Sequence, residues 1–262
     1  YIWLYILKLK IIYKHIKLNI KYIFKKMEKS IEEKLKSNYN LTLENIKKSV
    51  EKTSSKKSPI LIAVSKKRSV ESIQVIYNLG QRIFGENYPQ ELLTKSKSLP
   101  KDIEWHLIGH LQTNKVKKIL EEIPNVVIES VDRIDVVKKI SQYGDVKNKT
   151  KIYLEINISG EESKTGCPLD NINIVLDEIF KNKDKMELIG IMSLGKVGDK
   201  KEFEKMVEIK NNICDKYGLD RNKFIASFGT SQDYEEAILS GSDEVRIGHQ
   251  IFEVWLFIYY ML

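Results

Sequence analysis

Cysteine is nearly absent from this 262-residue chain: Cys167 and Cys214 lie far apart and form neither a CxxC nor a His/Cys pattern. That excludes a disulfide framework and a cysteine-based zinc site, and it favours a reducing compartment. No Gly-x-Gly-x-x-Gly follows an apolar run and no Walker-type glycine-lysine loop occurs, so dinucleotide and P-loop nucleotide sites lack their usual support. His106 and His110 have no acidic residue at ligand spacing and are weak evidence for a metal, so none is assigned. No apolar run approaches the ~18 continuous residues that a membrane span needs.

Acidic residues are missing from 1–26, YIWLYILKLKIIYKHIKLNIKYIFKK, as are Gly, Ala, Pro and Ser. The seven lysines of this segment account for all but one of the chain's eight net positive charges, so the basic balance does not point to nucleic acid. Met27 opens the well-mixed text MEKSIEEKLKSN. Residues 1–26 therefore read as translated upstream sequence or a misplaced start, with a basic membrane-surface helix or targeting segment as the rival reading. The tail 254–262, VWLFIYYML, reads either as a packed end or as another sequence-end artefact. The working unit expected from these shifts is 27–253.

Within that unit, short apolar runs alternate with helical patterns. Eight strands are expected: 59–65, 81–86, 104–109, 125–131, 151–158, 186–193, 223–229 and 244–248. Several are apolar on both faces, as parallel strands covered by helices should be. Gly80, Gly144, Gly218 and Gly241 fall where the intervening helices should stop, and Ser231 before acidic residues fits a helix start. The alternation predicts a single (β/α)8 TIM barrel preceded by a helix over 28–49, with an open doubly wound sheet as the alternative.

In such a barrel the carboxyl ends of the strands form the functional rim, and phosphate is often held after strands seven and eight. Those ends collect Lys66; Glu86 and Asn87; His110; Glu129, Ser130, Asp132 and Arg133; Asn157; Met192 and Ser193; Ser227 to Ser231; and Arg246, Gly248 and His249. Lys66 at an apolar inner lip would be partly desolvated, which frees its amine to attack an aldehyde; a plain rim lysine is the competing reading. SFGTS (227–231) and RIGH (246–249) offer hydroxyls, glycines and backbone N–H groups, either as helix caps or as a phosphate cradle. An aldehyde-bearing phosphate would satisfy both ends. Arg246 reads as an outward salt-bridge residue or as an inward donor to a pyridine nitrogen, which it would leave unprotonated. His106, within strand three, reads as a core or hydrogen-bonded residue.

The segments AVSKKRS, GQRIFGENYPQEL, WHLIGHLQTNK, VDR, INISGEESKTG, LIGIMSLG and SQDYEEAILSGSDEVRIGHQIF, in this order, resemble the motifs of the pyridoxal phosphate homeostasis proteins, the YggS/PROSC group. The resemblance implies an alanine racemase N-terminal-domain-like barrel holding pyridoxal 5′-phosphate as a Schiff base on Lys66. It gives the phosphate to Ser227, Gly229, Ser231 and Gly248, sets Arg246 near the pyridine nitrogen, lines the rim with Asn87 and His110, and puts Met192 close to the ring. It further implies a cytoplasmic monomer in vitamin B6 homeostasis, without established catalytic turnover, whose partners are the cofactor and either apo pyridoxal phosphate enzymes or free amino acids. The chain departs from the family pattern at Phe228, Thr230, His249 and Glu253. Two other functions compete: a pyridoxal phosphate-dependent amino-acid racemase, for which Tyr88 is a rim tyrosine without an evident orienting partner, and a cofactor-free membrane-associated adaptor using 1–26.

Overall fold

The structure, a computed structural model, describes residues 2–161 and 163–254; the expected tail lies outside the described residues from 255 onward. Its eight strands are β1 (Ile60–Val64), β2 (Ile83–Glu86), β3 (Glu104–Leu107), β4 (Val127–Val131), β5 (Thr150–Ile156), β6 (Met186–Ser193), β7 (Ile225–Thr230) and β8 (Glu244–Ile247). They close in chain order into a barrel, and every neighbouring pair is parallel. The helices between them are α2 (Val70–Asn78), α3 (Pro89–Ser98), α4 (Thr113–Glu122), α5 (Ile134–Tyr143), α6 (Ile172–Lys181), α7 (Lys200–Tyr217) and α8 (Tyr234–Leu239), with α9 (His249–Phe252) after β8. This is the (β/α)8 architecture the alternation predicts.

Side-chain direction follows the period of two along each strand. Ala63, Phe84, Trp105, Leu107, Ile128, Leu154, Ile191, Ala226, Phe228, Val245 and Ile247 face the helices in one continuous core. The interior is filled by two smaller apolar clusters, Ile62 with Val64 and Ile108, and Val127 with Tyr153 and Met192. Gly85 belongs to this inner wall because a Cβ there would come within 2.8 Å of Ile62 Cγ2.

The helix expected over 28–49 is part of a longer one, α1 (Ile2–Lys52), which passes Met27 without a break. Residues 1–26 contain no glycine or proline to stop it. Toward its C-terminus, Leu35, Tyr39, Thr42, Ile46, Ser49 and Val50 recur every three or four residues and are buried. This stripe packs α1 on α2, α8 and α9. Tyr39 also donates to Gln81 Oε1 at 3.0 Å, and Gln81 Nε2 donates to the Leu61 and Ile83 carbonyls, which ties the helix to β1 and β2. Tyr13, Leu18, Tyr22 and Ile23, by contrast, are exposed. Among the described residues, no helix is long and apolar enough to cross a membrane.

The helix stops are mostly those expected, for different reasons. Gly218 ends α7 in the left-handed conformation, φ +67°. Gly144 after α5 has φ −69° instead; a Cβ there would meet the Ile140 carbonyl at 2.9 Å, so close packing demands the glycine. Ser231 does not start α8. That helix begins at Tyr234, and the carboxylate of Asp233 reaches back to the Thr230 N–H (2.7 Å) and hydroxyl (3.0 Å).

Candidate functional site

A cavity of about 540 Å3 opens at the carboxyl ends of β1, β2, β7 and β8, a volume within the usual range for small-ligand sites. Its wall includes Lys66, Asn87, Ser231, Arg246 and Gly248. Thr230, Gln232, Leu194, His249 and Gln250 complete the polar and outer parts, while Val64 and Ile108 supply apolar floor. The remaining residues expected at the site lie elsewhere. Ser227 and Met192 are buried in the barrel interior, Gly229 packs against α8, and exposed His110 stands 3.8 Å from Asp132. Tyr88 is also exposed and stands outside the cavity wall.

Lys66 follows β1 in a tight turn, closed by the Arg68 N–H to the Ser65 carbonyl at 3.0 Å. Its side chain is exposed where it lines the cavity wall. Glu86 points the other way, toward α3, where it accepts from Lys95 Nζ at 2.7 Å and from the Ser65 hydroxyl at 2.6 Å. Burial drives its carboxyl above the ordinary range against those two hydrogen bonds.

At the opposite wall, the Gly248 N–H donates to Ser231 Oγ at 3.1 Å, joining the loops that follow β7 and β8. The serine proton remains able to donate into the cavity. Gly248 is confined by β1, since a Cβ would meet the Val64 carbonyl at 2.8 Å. Two amide oxygens in the lining residues Asn87 and Gln250 are buried without a protein partner. Buried polar atoms of this kind need a partner, and an amide turned over presents NH2 instead.

Arg246 is buried and faces inward, against the outward salt-bridge reading. Its Nη1 donates to Ser227 Oγ and its Nη2 to the Ser193 carbonyl at 2.7 Å. Below it lies a polar layer, of which sequence reading placed Glu129 at the rim and His106 in the core. His106 Nδ1 contacts Glu129 Oε1 at 2.6 Å and Nε2 contacts Glu104 Oε1 at 3.2 Å; Tyr153 donates to Glu244 Oε2 at 3.0 Å. Burial opposes a charged His106, but the bonds to Glu104 and Glu129 prevail and push it up to about 10. Glu244 is pushed up to about 8 by burial and the Glu129 charge, against the pull of His106. Glu155, raised by burial to about 7, accepts from Thr165.

His106, Glu129 and Glu244 bring ligand-type atoms within 4.8 Å of one another. The 2.6 Å His106–Glu129 contact is a hydrogen bond, shorter than the roughly 3.3 Å expected between two ligands of one tetrahedral metal. The cluster is therefore balanced by protons and by the Arg246 charge.

An amine, a fixed guanidinium and a hydroxyl-bearing corner surround one cavity at the mouth of the barrel. The barrel is like the one in alanine racemase: the Streptomyces coelicolor enzyme matches with a TM-score of 0.66 at 13% identity, over 85% of this chain and 58% of that one. A protein of unknown function from Bifidobacterium adolescentis matches with a TM-score of 0.76 at 29% identity, covering 85% of this chain and 96% of that one. PipY of Synechococcus elongatus, with pyridoxal phosphate bound, gives a TM-score of 0.60 at 25% identity over 74% of this chain and 92% of its own. No protein-family model matches. Among curated proteins, the pyridoxal phosphate homeostasis protein of Pongo abelii is 35% identical over 209 residues, 74% of this chain and 76% of that protein. The Schizosaccharomyces pombe protein of the same name is 32% identical over 220 residues, 80% of this chain and 90% of its own. The chain belongs to the pyridoxal phosphate homeostasis protein family.

Proposed function

We propose that this protein binds pyridoxal 5′-phosphate in the cavity beside Lys66 and serves in intracellular homeostasis of that cofactor. The observation that carries the reading is the gathering of Lys66, Arg246, Ser231 and Gly248 around one cavity. When bound, the cofactor supplies an aldehyde for the lysine amine, a phosphate and a pyridine nitrogen. Lys66 anchors the aldehyde end. Ser231 and the Gly248 turn hold the phosphate through hydroxyl and backbone donors. Arg246, fixed by Ser227 and the Ser193 carbonyl, donates to the pyridine nitrogen and keeps a proton off it, which weakens the ring as an electron sink.

Ser227 and Gly229 then act behind the phosphate corner, by holding Arg246 and shaping the loop. Asn87 lines the pocket beside the cofactor, His110 marks the outer rim, and Met192 packs the barrel interior with Val127 and Tyr153. The partners we assign are the cofactor itself and either apo pyridoxal phosphate enzymes or free amino acids, with the protein acting as a cytoplasmic monomer. Both cysteines being buried free thiols supports a reducing location.

A racemase is disfavoured because Tyr88 stands outside the cavity wall. Equilibrium dialysis of the full chain against pyridoxal phosphate should show one cofactor per chain, with affinity reduced by Ser231→Ala. Absence of saturable binding would overturn the reading.

A further inference from the structure

We propose that Glu91 on α3 is a positioning residue for the Lys66 amine: braced by Lys95, it holds the turn that aims this lysine into the cavity. The inference rests on the reading of Lys66 as the cofactor's anchor. A lysine side chain has four flexible carbons, so its aim depends on the backbone that carries it. That backbone is held on both sides of Lys66 and left free at Lys66 itself.

On the preceding side, the Ser65 carbonyl accepts from the Arg68 N–H and from Lys95 Nζ at 2.8 Å, while the Ser65 hydroxyl donates to Glu86. On the following side, the Lys67 N–H donates to Glu91 Oε2 at 2.8 Å. The same carboxylate accepts from Lys95 Nζ, also at 2.8 Å. Lys95 therefore spans Ser65, Glu86 and Glu91, and it is buried although charged.

The need for this clamp is written in the backbone. Lys67 has φ +58°, a left-handed conformation that favours glycine and penalises a side chain with a Cβ. Left to itself, the turn would relax and carry the neighbouring Lys66 with it. Glu91 receives the one N–H that the left-handed residue points toward α3. Although partial burial opposes its charge, the bonds from Lys95 and the Lys67 N–H hold its carboxyl below the usual range. The charged acceptor strengthens the hold on the turn.

The step that depends on aim is condensation of the Lys66 amine with an aldehyde, which forms a carbon–nitrogen double bond and releases one water. Its rate can be followed on the full chain with pyridoxal phosphate, trapping with cyanoborohydride and mapping the modified peptide. Glu91→Ala should lower the saturating rate of Lys66 modification roughly tenfold, since misplacement of a reacting group costs rate steeply. Lys67→Gly alone should react like wild type, and Glu91→Ala combined with Lys67→Gly should recover most of the lost rate, because glycine accepts positive φ without help.

Glu91→Ala reacting at the wild-type rate would overturn the clamp, and so would a slow Glu91→Ala variant that Lys67→Gly fails to rescue, since that loss would be general. Absence of modification at Lys66 in the wild type would overturn the cofactor reading and the clamp together, a result distinct from either of the others.

Discussion

Arg246 and Ser227 face each other inside the barrel, the guanidinium donating to the hydroxyl, whose oxygen lies 3.3 Å from Glu129 Oε2. One serine thus links the cation at the cavity to the polar layer beneath it. Ser227→Ala should destabilise the protein by about 1–3 kcal/mol, since it strands buried polar partners. It should also weaken pyridoxal phosphate binding without abolishing the Lys66 adduct. Denaturant melts and a binding titration on the same preparation check both halves.

Gly109 supports the rim from below Asn87. A Cβ at this position would come within 2.2 Å of the Asn87 carbonyl oxygen, so Gly109→Ala must displace that backbone. The expected cost is about 1–3 kcal/mol of stability, as for other overpacked sites. Because Asn87 lines the cavity, cofactor affinity should fall as well. Gly80→Ala, at a turn with open space but φ +105°, should lower stability and leave affinity unchanged.

Glu155 is raised by burial to about 7, above its unfolded value of 4.5. Between those values the folded protein holds a proton that the unfolded chain has lost, so this group's contribution to stability is full below about pH 4.5 and declines as pH rises through 7. Glu155→Gln keeps an acceptor for Thr165 but carries no charge. Its stability relative to wild type should therefore rise between pH 5 and 8, measured by urea melts across that range.

His106 gives the corresponding dependence for a cation. Its folded value of about 10 exceeds the unfolded 6.5, so the stabilisation is complete below pH 6.5 and disappears as pH passes 10. The stability gap between wild type and His106→Gln should be widest near pH 6 and narrow toward pH 10. An unchanging gap would show that His106 is not held protonated by Glu104 and Glu129.

The barrel was largely legible because its signals are local. β6 occupies 186–193 as its apolar run indicates, and all eight strands fall within the expected runs to within a few residues. The rim lysine and the β7–β8 corner followed from strand ends alone. Other features depend on closure. Tyr153 and Glu244 meet across 91 residues of chain, and nothing around either one announces the other. Glu129 reads as a rim carboxylate, yet a register shift in β4 and the pull of His106 keep it inside. Ser231 reads as a cap because acids follow it, whereas the acid that reaches back to Thr230 is Asp233 itself. Thr230, a departure from the family pattern, turned out to line the cavity, as does Gln232, which lies within a family-like segment but is given no role there.

The central claim is that the cavity is built around the Lys66 amine. The most direct test is borohydride reduction of the full chain saturated with pyridoxal phosphate, followed by mass mapping, with Lys66→Ala alongside. The account predicts one stable adduct per chain, located on Lys66 and missing from the variant. An adduct of equal yield in Lys66→Ala, or one spread over surface lysines such as Lys67 and Lys117, would contradict it.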